Sequence, residues 1–126
     1  KLTNAITIVI SGDRAKEMFA DETTRYAGYD GLLSDLDPAV PATLVPWISA
    51  DWKPNFKWRG DGAMPETEQK KLGEIVAQAH AQGRRVRFWG APDNEAFWRA
   101  MRAEDVDLIN TDNLAGVEKF LRGESN

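Results

Sequence analysis

The alternation of apolar and polar positions is clearest in the stretch RVRFWGAPDN, residues 85 to 94. Val86 and Phe88 are apolar, while Arg85, Arg87 and Trp89 fall on the alternate positions. Side chains alternate faces along a strand, so one face is greasy and the other carries two guanidinium groups and an indole. Upstream, Leu72, Ile75, Val76 and Ala79 recur at helical spacing, with Gly83 as the stop. Downstream a second helix starts near Asp93 or Asn94 and carries Phe97, Trp98 and Met101. Helix, strand, loop and helix in that order predict a piece of a parallel α/β sheet. Val86 and Phe88 then pack under helices, and Arg87 and Trp89 point to the other side. A buried arginine is costly unless it is paired. Arg87 therefore implies either an internal carboxylate partner or a bound anion.

The remaining elements follow in chain order. Ile6 to Ser11 (ITIVIS) sets Ile6, Ile8 and Ile10 on one face and Thr7, Val9 and Ser11 on the other, the pattern of a barrel strand. Gly12 closes it, and Asp13 suits the N-cap of a short helix through Phe19. A second strand is expected at Gly31–Asp35 (GLLSD), ending in acidic residues and broken by Pro38 and Pro41. Leu44–Ser49 is a third candidate, although Pro46 removes a ladder donor. Asp51 to Pro65 forms a long loop rich in Trp, Lys and Arg, and long loops in compact domains are more often functional than ordinary connectors. Pro65, Glu66 and Glu68 suit the first turn of the helix that follows. Asp107–Asn110 (DLIN) is a short last strand, and Leu114, Val117 and Leu121 mark a final helix closed by Gly123. No repeat, low-complexity run or linker divides the chain, so 1–126 reads as one domain.

Composition narrows the function classes. The 126 residues allow one ordinary core, and 42% apolar with 29% charged residues argues against disorder. A net charge of −4 without a basic block argues against a nucleic-acid partner. Zero cysteines exclude disulfides and thiolate metal sites and leave the compartment open. No apolar run approaches the length of a membrane span, and no signal peptide is visible. The chain opens at Lys1 without a methionine, which raises the expectation of an upstream segment. Nucleophile-elbow, zinc-helix and phosphate-loop motifs are absent. Gly60-Asp61-Gly62 is a turn signal, too short for a phosphate cradle.

Binding residues are expected at strand ends, where barrel ligands lie: Ser11, Asp35, Ser49, Asp51, Arg87, Trp89, Asn94, Asn110 and Asp112. Lys57 and Arg59 are either solvated loop charges or phosphate contacts. Asp112 and Asp13 also suit helix caps, and Trp52, Trp58 and Trp98 suit packing, whereas Trp89 is expected to line the pocket. Five tryptophans keep a carbohydrate ligand in play. His80, the one histidine, sits at a helix end on the face away from the loops that build active sites, where the helix dipole favours it.

RVRFWGAPDNEAFWRAM followed by DVDLINTDNLAGVEKFL resembles the end of the glycerophosphodiester phosphodiesterase barrels and their phosphatidylinositol phospholipase C-like relatives. The resemblance rests on an aromatic strand end, a polar turn with asparagine, and a Thr-Asp pair at Thr111 and Asp112. The loop FKWRGDG, Phe56–Gly62, is similar to that of a bacterial and fungal branch. The resemblance implies the last five strands of an eight-stranded (βα)8 barrel, the C-terminal half of a fold that takes about 250 residues. It implies hydrolysis of a small phosphodiester, with Arg87, Trp89, Arg59, Lys57, Asp51, Ser11 and Asn110 holding substrate. The family's two histidines and acidic ligands for a divalent cation, Mg or Ca, are missing here, so the resemblance puts catalysis in another part of the protein. No cofactor is evident in this chain itself, and pairing with an N-terminal half or self-association is expected. The rival reading is a non-catalytic α/β binding or interaction module for a carbohydrate or phosphate-bearing ligand. A doubly wound enzyme is a weaker third, because no glycine-rich nucleotide fingerprint is present.

Overall fold

The computed structural model describes residues 6–12 and 16–123, apart from the side chains of Lys16 and Ala20. Five strands alternate with helices: β1 (Ile8–Ile10), α1 (Lys16–Ala20), β2 (Ala27–Gly31), β3 (Trp47–Asp51), α2 (Trp52–Asn55), α3 (Glu66–Ala81), β4 (Arg85–Trp89), α4 (Glu95–Ala103), β5 (Leu108–Ile109) and α5 (Leu114–Arg122). They form one all-parallel sheet in the order β1-β2-β3-β4-β5. A sequential order has no switch point, and right-handed crossovers place successive helices on one face. The architecture is consistent with half of a TIM-type barrel and does not match a doubly wound sheet, which carries helices on both faces.

The register fixes which side chains share a face. Trp47 pairs with Arg85, Ser49 with Arg87, and Asp51 with Trp89, while Ile48 and Ala50 pair with Val86 and Phe88. The second set is buried with Leu72 and Val76 of α3 and Phe97 and Met101 of α4. An aromatic knot completes this core. Trp52 stacks on Phe56 at 4.0 Å between centroids and meets Phe88 and Phe97 edge-on at 5.4 and 4.9 Å. Trp52, Trp58 and Trp98 are all buried, in line with their reading as packing residues.

Two strands sit away from their expected positions. The second occupies Ala27–Gly31 and not Gly31–Asp35, and Leu33–Asp35 is a 3-10 turn. Gly28 and Gly31 conceal this strand in the sequence, yet both are required. A Cβ at Gly28 would meet the Pro46 ring at 2.4 Å, and one at Gly31 would meet Val45 at the same distance. The third strand runs from Trp47 to Asp51, because Pro46 precedes it and contributes only its carbonyl, which accepts from the Arg85 amide. Asp35 consequently leaves the strand end. It is buried and accepts the Leu32 amide within its own turn. The expected Asp13 cap lies outside the described residues. The last helix is capped by Asn113, whose side chain accepts from the Gly116 amide, and not by Asp112.

His80 lies in the last turn of α3, with Nε2 2.8 Å from an Asp107 carboxylate oxygen that also accepts the Val86 amide. Both Val86 and Asp107 stand at strand beginnings, so the histidine is at the base of the sheet. Among the described residues, no helix is long and apolar enough to cross a membrane.

Candidate functional site

A cleft of about 350 Å3 opens at the C-terminal ends of β1 to β4, lined by Ser11, Gly12, Asp30, Leu32, Ser49, Arg87 and Trp89. It lies on the face opposite the helices, because each lining strand residue alternates with a core residue. Asp30 is its best-fixed group. One oxygen accepts from Trp47 Nε1 at 2.6 Å and the other from the Ser11 hydroxyl at 2.9 Å. These bonds tie three adjacent strands together at the rim.

Arg87 lines the same cleft. Its Nε is buried without a hydrogen-bond partner, and its guanidinium forms no ion pair among the described residues. The Ser49 hydroxyl, on a residue only 2% exposed, is likewise buried and without a partner. Unpaired buried polar atoms cost free energy, about 1–3 kcal/mol for a neutral group and more for a charged one. Two such donors therefore stand on neighbouring strands in one cleft. Trp89, 43% exposed at the end of β4, forms the cleft's aromatic edge.

The other expected site residues are placed elsewhere. The Asp51 carboxylate caps α2 by accepting the Lys53 amide and does not line the cleft. Asn94 caps α4 by accepting the Phe97 amide. Arg59 is turned onto its own loop, donating to the carbonyls of Phe56 at 2.6 Å and Trp58 at 3.1 Å. Lys57 is exposed, and its amide is held by Glu68, which also accepts the Trp58 amide. Gly60, at φ +86°, presses on Asn94, where a Cβ would come within 2.6 Å of the side-chain amide. The FKWRGDG loop is thus packed against the start of α4 and does not line the cleft. Asn110 is half-buried past β5 and also stands outside the cleft.

Asp93 was not singled out by the sequence, yet it joins two rim loops. Its carboxylate accepts from Thr111 Oγ1 at 2.6 Å, the amides of Asp112 and Asn113 at 2.8 and 3.1 Å, and Trp98 Nε1 at 3.2 Å. Burial alone would raise its pKa, but these four donors outweigh that and hold the carboxyl below its usual range. Among the described residues, no three His, Asp or Glu side chains converge as a metal site would need.

Comparison with known proteins gives the class to which this geometry is similar. Residues 85–115, from β4 into α5, match the glycerophosphoryl diester phosphodiesterase family. This supports a likeness to that superfamily over the part of the chain that carries Arg87, Trp89 and Asp93. The particular relatives are fungal. The chain is 28% identical over 137 aligned residues, 94% of its length, to altered inheritance of mitochondria protein 6 of Eremothecium gossypii. It is 23% identical over 135 residues, 88% of its length, to the protein of the same name from Zygosaccharomyces rouxii. The alignments span 35% and 33% of those proteins, so the chain covers about a third of their length. No solved structure matches the chain.

Proposed function

We propose that this chain is the substrate-holding part of a phosphodiesterase-like (βα)8 barrel and that the cleft at the ends of β1 to β4 receives a phosphodiester, such as a glycerophosphodiester. The observation that carries this reading is the pair of partnerless donors, Arg87 Nε and Ser49 Oγ, in one cleft. A guanidinium beside a hydroxyl matches the oxygens of a phosphoryl group, and the arginine's charge offsets charge that builds on them in the transition state. Trp89, at the cleft's edge, offers an aromatic face to the organic part of the ester. The match over residues 85–115 gives the phosphodiester class its independent support.

Among the described residues, the cleft lining does not fit a metal ion. Asp30 is the only carboxylate among the lining residues, and its two oxygens face Trp47 and Ser11. The lining residues do not supply proton transfer either, since the one histidine is at the base of the sheet. The reading therefore assigns the divalent cation and the acid–base groups to residues outside this chain, in a protein of the length of its relatives. Its test is a paired assay. The chain alone should turn over neither a glycerophosphodiester nor bis(p-nitrophenyl) phosphate, with or without Mg or Ca. The longer protein should show turnover that Arg87→Met lowers on the order of a hundredfold. Turnover by the chain alone that disappears in His80→Ala would contradict the assignment.

A further inference from the structure

The open face of β4 carries a charge that the cleft does not use. Arg85 and Arg87 share that face, two residues and about 7 Å apart along the strand, with Trp89 beyond them. Arg87 lines the cleft, whereas Arg85 stands at the foot of the strand, exposed and outside it. Its amide donates to the Pro46 carbonyl, but its guanidinium forms no ion pair among the described residues. The acids that the register brings near it are already engaged. Asp107 accepts the Val86 amide and faces His80, and Asp30, two strands away at about 10 Å, accepts from Trp47 and Ser11. The surroundings on this face are largely apolar. Val9, Trp47 and Leu108 lie on the same side of the sheet and are half-buried, and Trp89 is 43% exposed. Both edge strands, β1 and β5, are unpaired on their outer sides, and the chain covers about a third of the length of its relatives. An element that covered these apolar side chains would take Arg85 out of water with them. A cation enclosed in that way is costly without a carboxylate partner.

We propose that the open face of the sheet docks an acidic segment from the part of the protein outside this chain, which sets an Asp or Glu carboxylate against Arg85. The inference rests on the reading of this chain as part of a larger barrel and is independent of what the cleft binds. Arg87 stays available to the ligand, and Arg85 holds the cover. The pair also fixes the register of an extended covering segment, because a slip of one residue turns its carboxylate to the other side.

The test compares this chain with the longer protein that contains it. Phenylglyoxal modifies accessible guanidinium groups, and peptide mass spectrometry reads its rate at Arg85. Arg85 should react readily in the chain alone and roughly tenfold more slowly in the longer protein. Arg85→Lys in the longer protein keeps the charge and supplies an amine. Carbodiimide should join that amine, through an amide bond, to one Asp or Glu outside these 126 residues. Arg85→Met should lower the urea midpoint of the longer protein and leave that of the chain unchanged, since the chain alone offers the side chain no partner to lose. If Arg85→Met keeps the longer protein from folding, labelling of the unaltered protein still decides. Equal labelling in the two would show that Arg85 reaches bulk water past the foot of the sheet, and would overturn the proposal. Protection without a cross-link in Arg85→Lys would mean an apolar cover, and a cross-link to a second copy of this chain would mean a different occupant; each overturns it. A cleft that fails to bind a phosphodiester while Arg85 stays protected and cross-linked would overturn the phosphate contact and leave this proposal standing.

Discussion

Two arginines three positions apart, Arg84 and Arg87, meet opposite fates, and the contrast shows what an arginine's surroundings say. Arg84 is 2% exposed and donates to the backbone carbonyls of Asp35, Asp37 and Val40 and to the Gln82 side chain. It staples the connection between β2 and β3 to the foot of β4. Arg84→Met strips these carbonyls of their donor, and the expected loss is about 3 kcal/mol, read as a lower midpoint in urea unfolding. An unchanged midpoint would show that water replaces the guanidinium without cost. Arg87 has no such carbonyl partners, and the proposed ligand contact rests on this difference. The inward aim of Arg87 and Trp89 was legible from their alternation with Val86 and Phe88. Arg84 was not, because its partners are carbonyls 44 to 49 positions away and leave no pattern in side-chain types. Asp30 was hidden for a different reason: its strand contains Gly28 and Gly31, which weaken any strand signal.

At the scale of elements, helices were legible and short strands less so. The 3.6-residue spacing of Leu72, Val76 and Ala79 and of Phe97, Trp98 and Met101 marks the buried faces of α3 and α4. The second and third strands shift because Gly and Pro act through close backbone contact, not hydrophobic pattern. The Asp93 link between the β4–α4 and β5–α5 loops was equally silent, since a loop aspartate reads as a cap. Its folded pKa lies below the ordinary 3.8. A depressed carboxyl contributes stability that is fully present above the unfolded pKa and is lost as pH falls through the folded one. Asp93→Asn should therefore be less stable than the unaltered chain at neutral pH, and the gap should close as pH drops below 3.8. Urea unfolding across that window checks it. A gap that stays constant into acid would mean that the hydrogen bonds survive protonation.

For the molecule as a whole, the open sheet leaves work undone. β1 is an edge strand, with Ile8 54% and Ile10 37% exposed on the face that should pack under a helix, and Ile6 is exposed beyond them. Unpaired edges bearing apolar side chains invite association. The chain alone should self-associate at high concentration, and Ile8→Thr with Ile10→Thr should raise the monomer fraction in sedimentation velocity. A concentration-independent monomer would favour a self-sufficient binding module over part of a barrel. The five parallel strands were legible from the alternation of helix and strand patterns. Occupancy of the cleft by a phosphodiester is tested most directly at Arg87 itself. Its Nε–H resonance, identified by its loss in Arg87→Met, should shift on titration with a glycerophosphodiester, and Ser49→Ala should weaken that response several-fold. A resonance that stays in place at saturating ligand would contradict the assignment of this cleft.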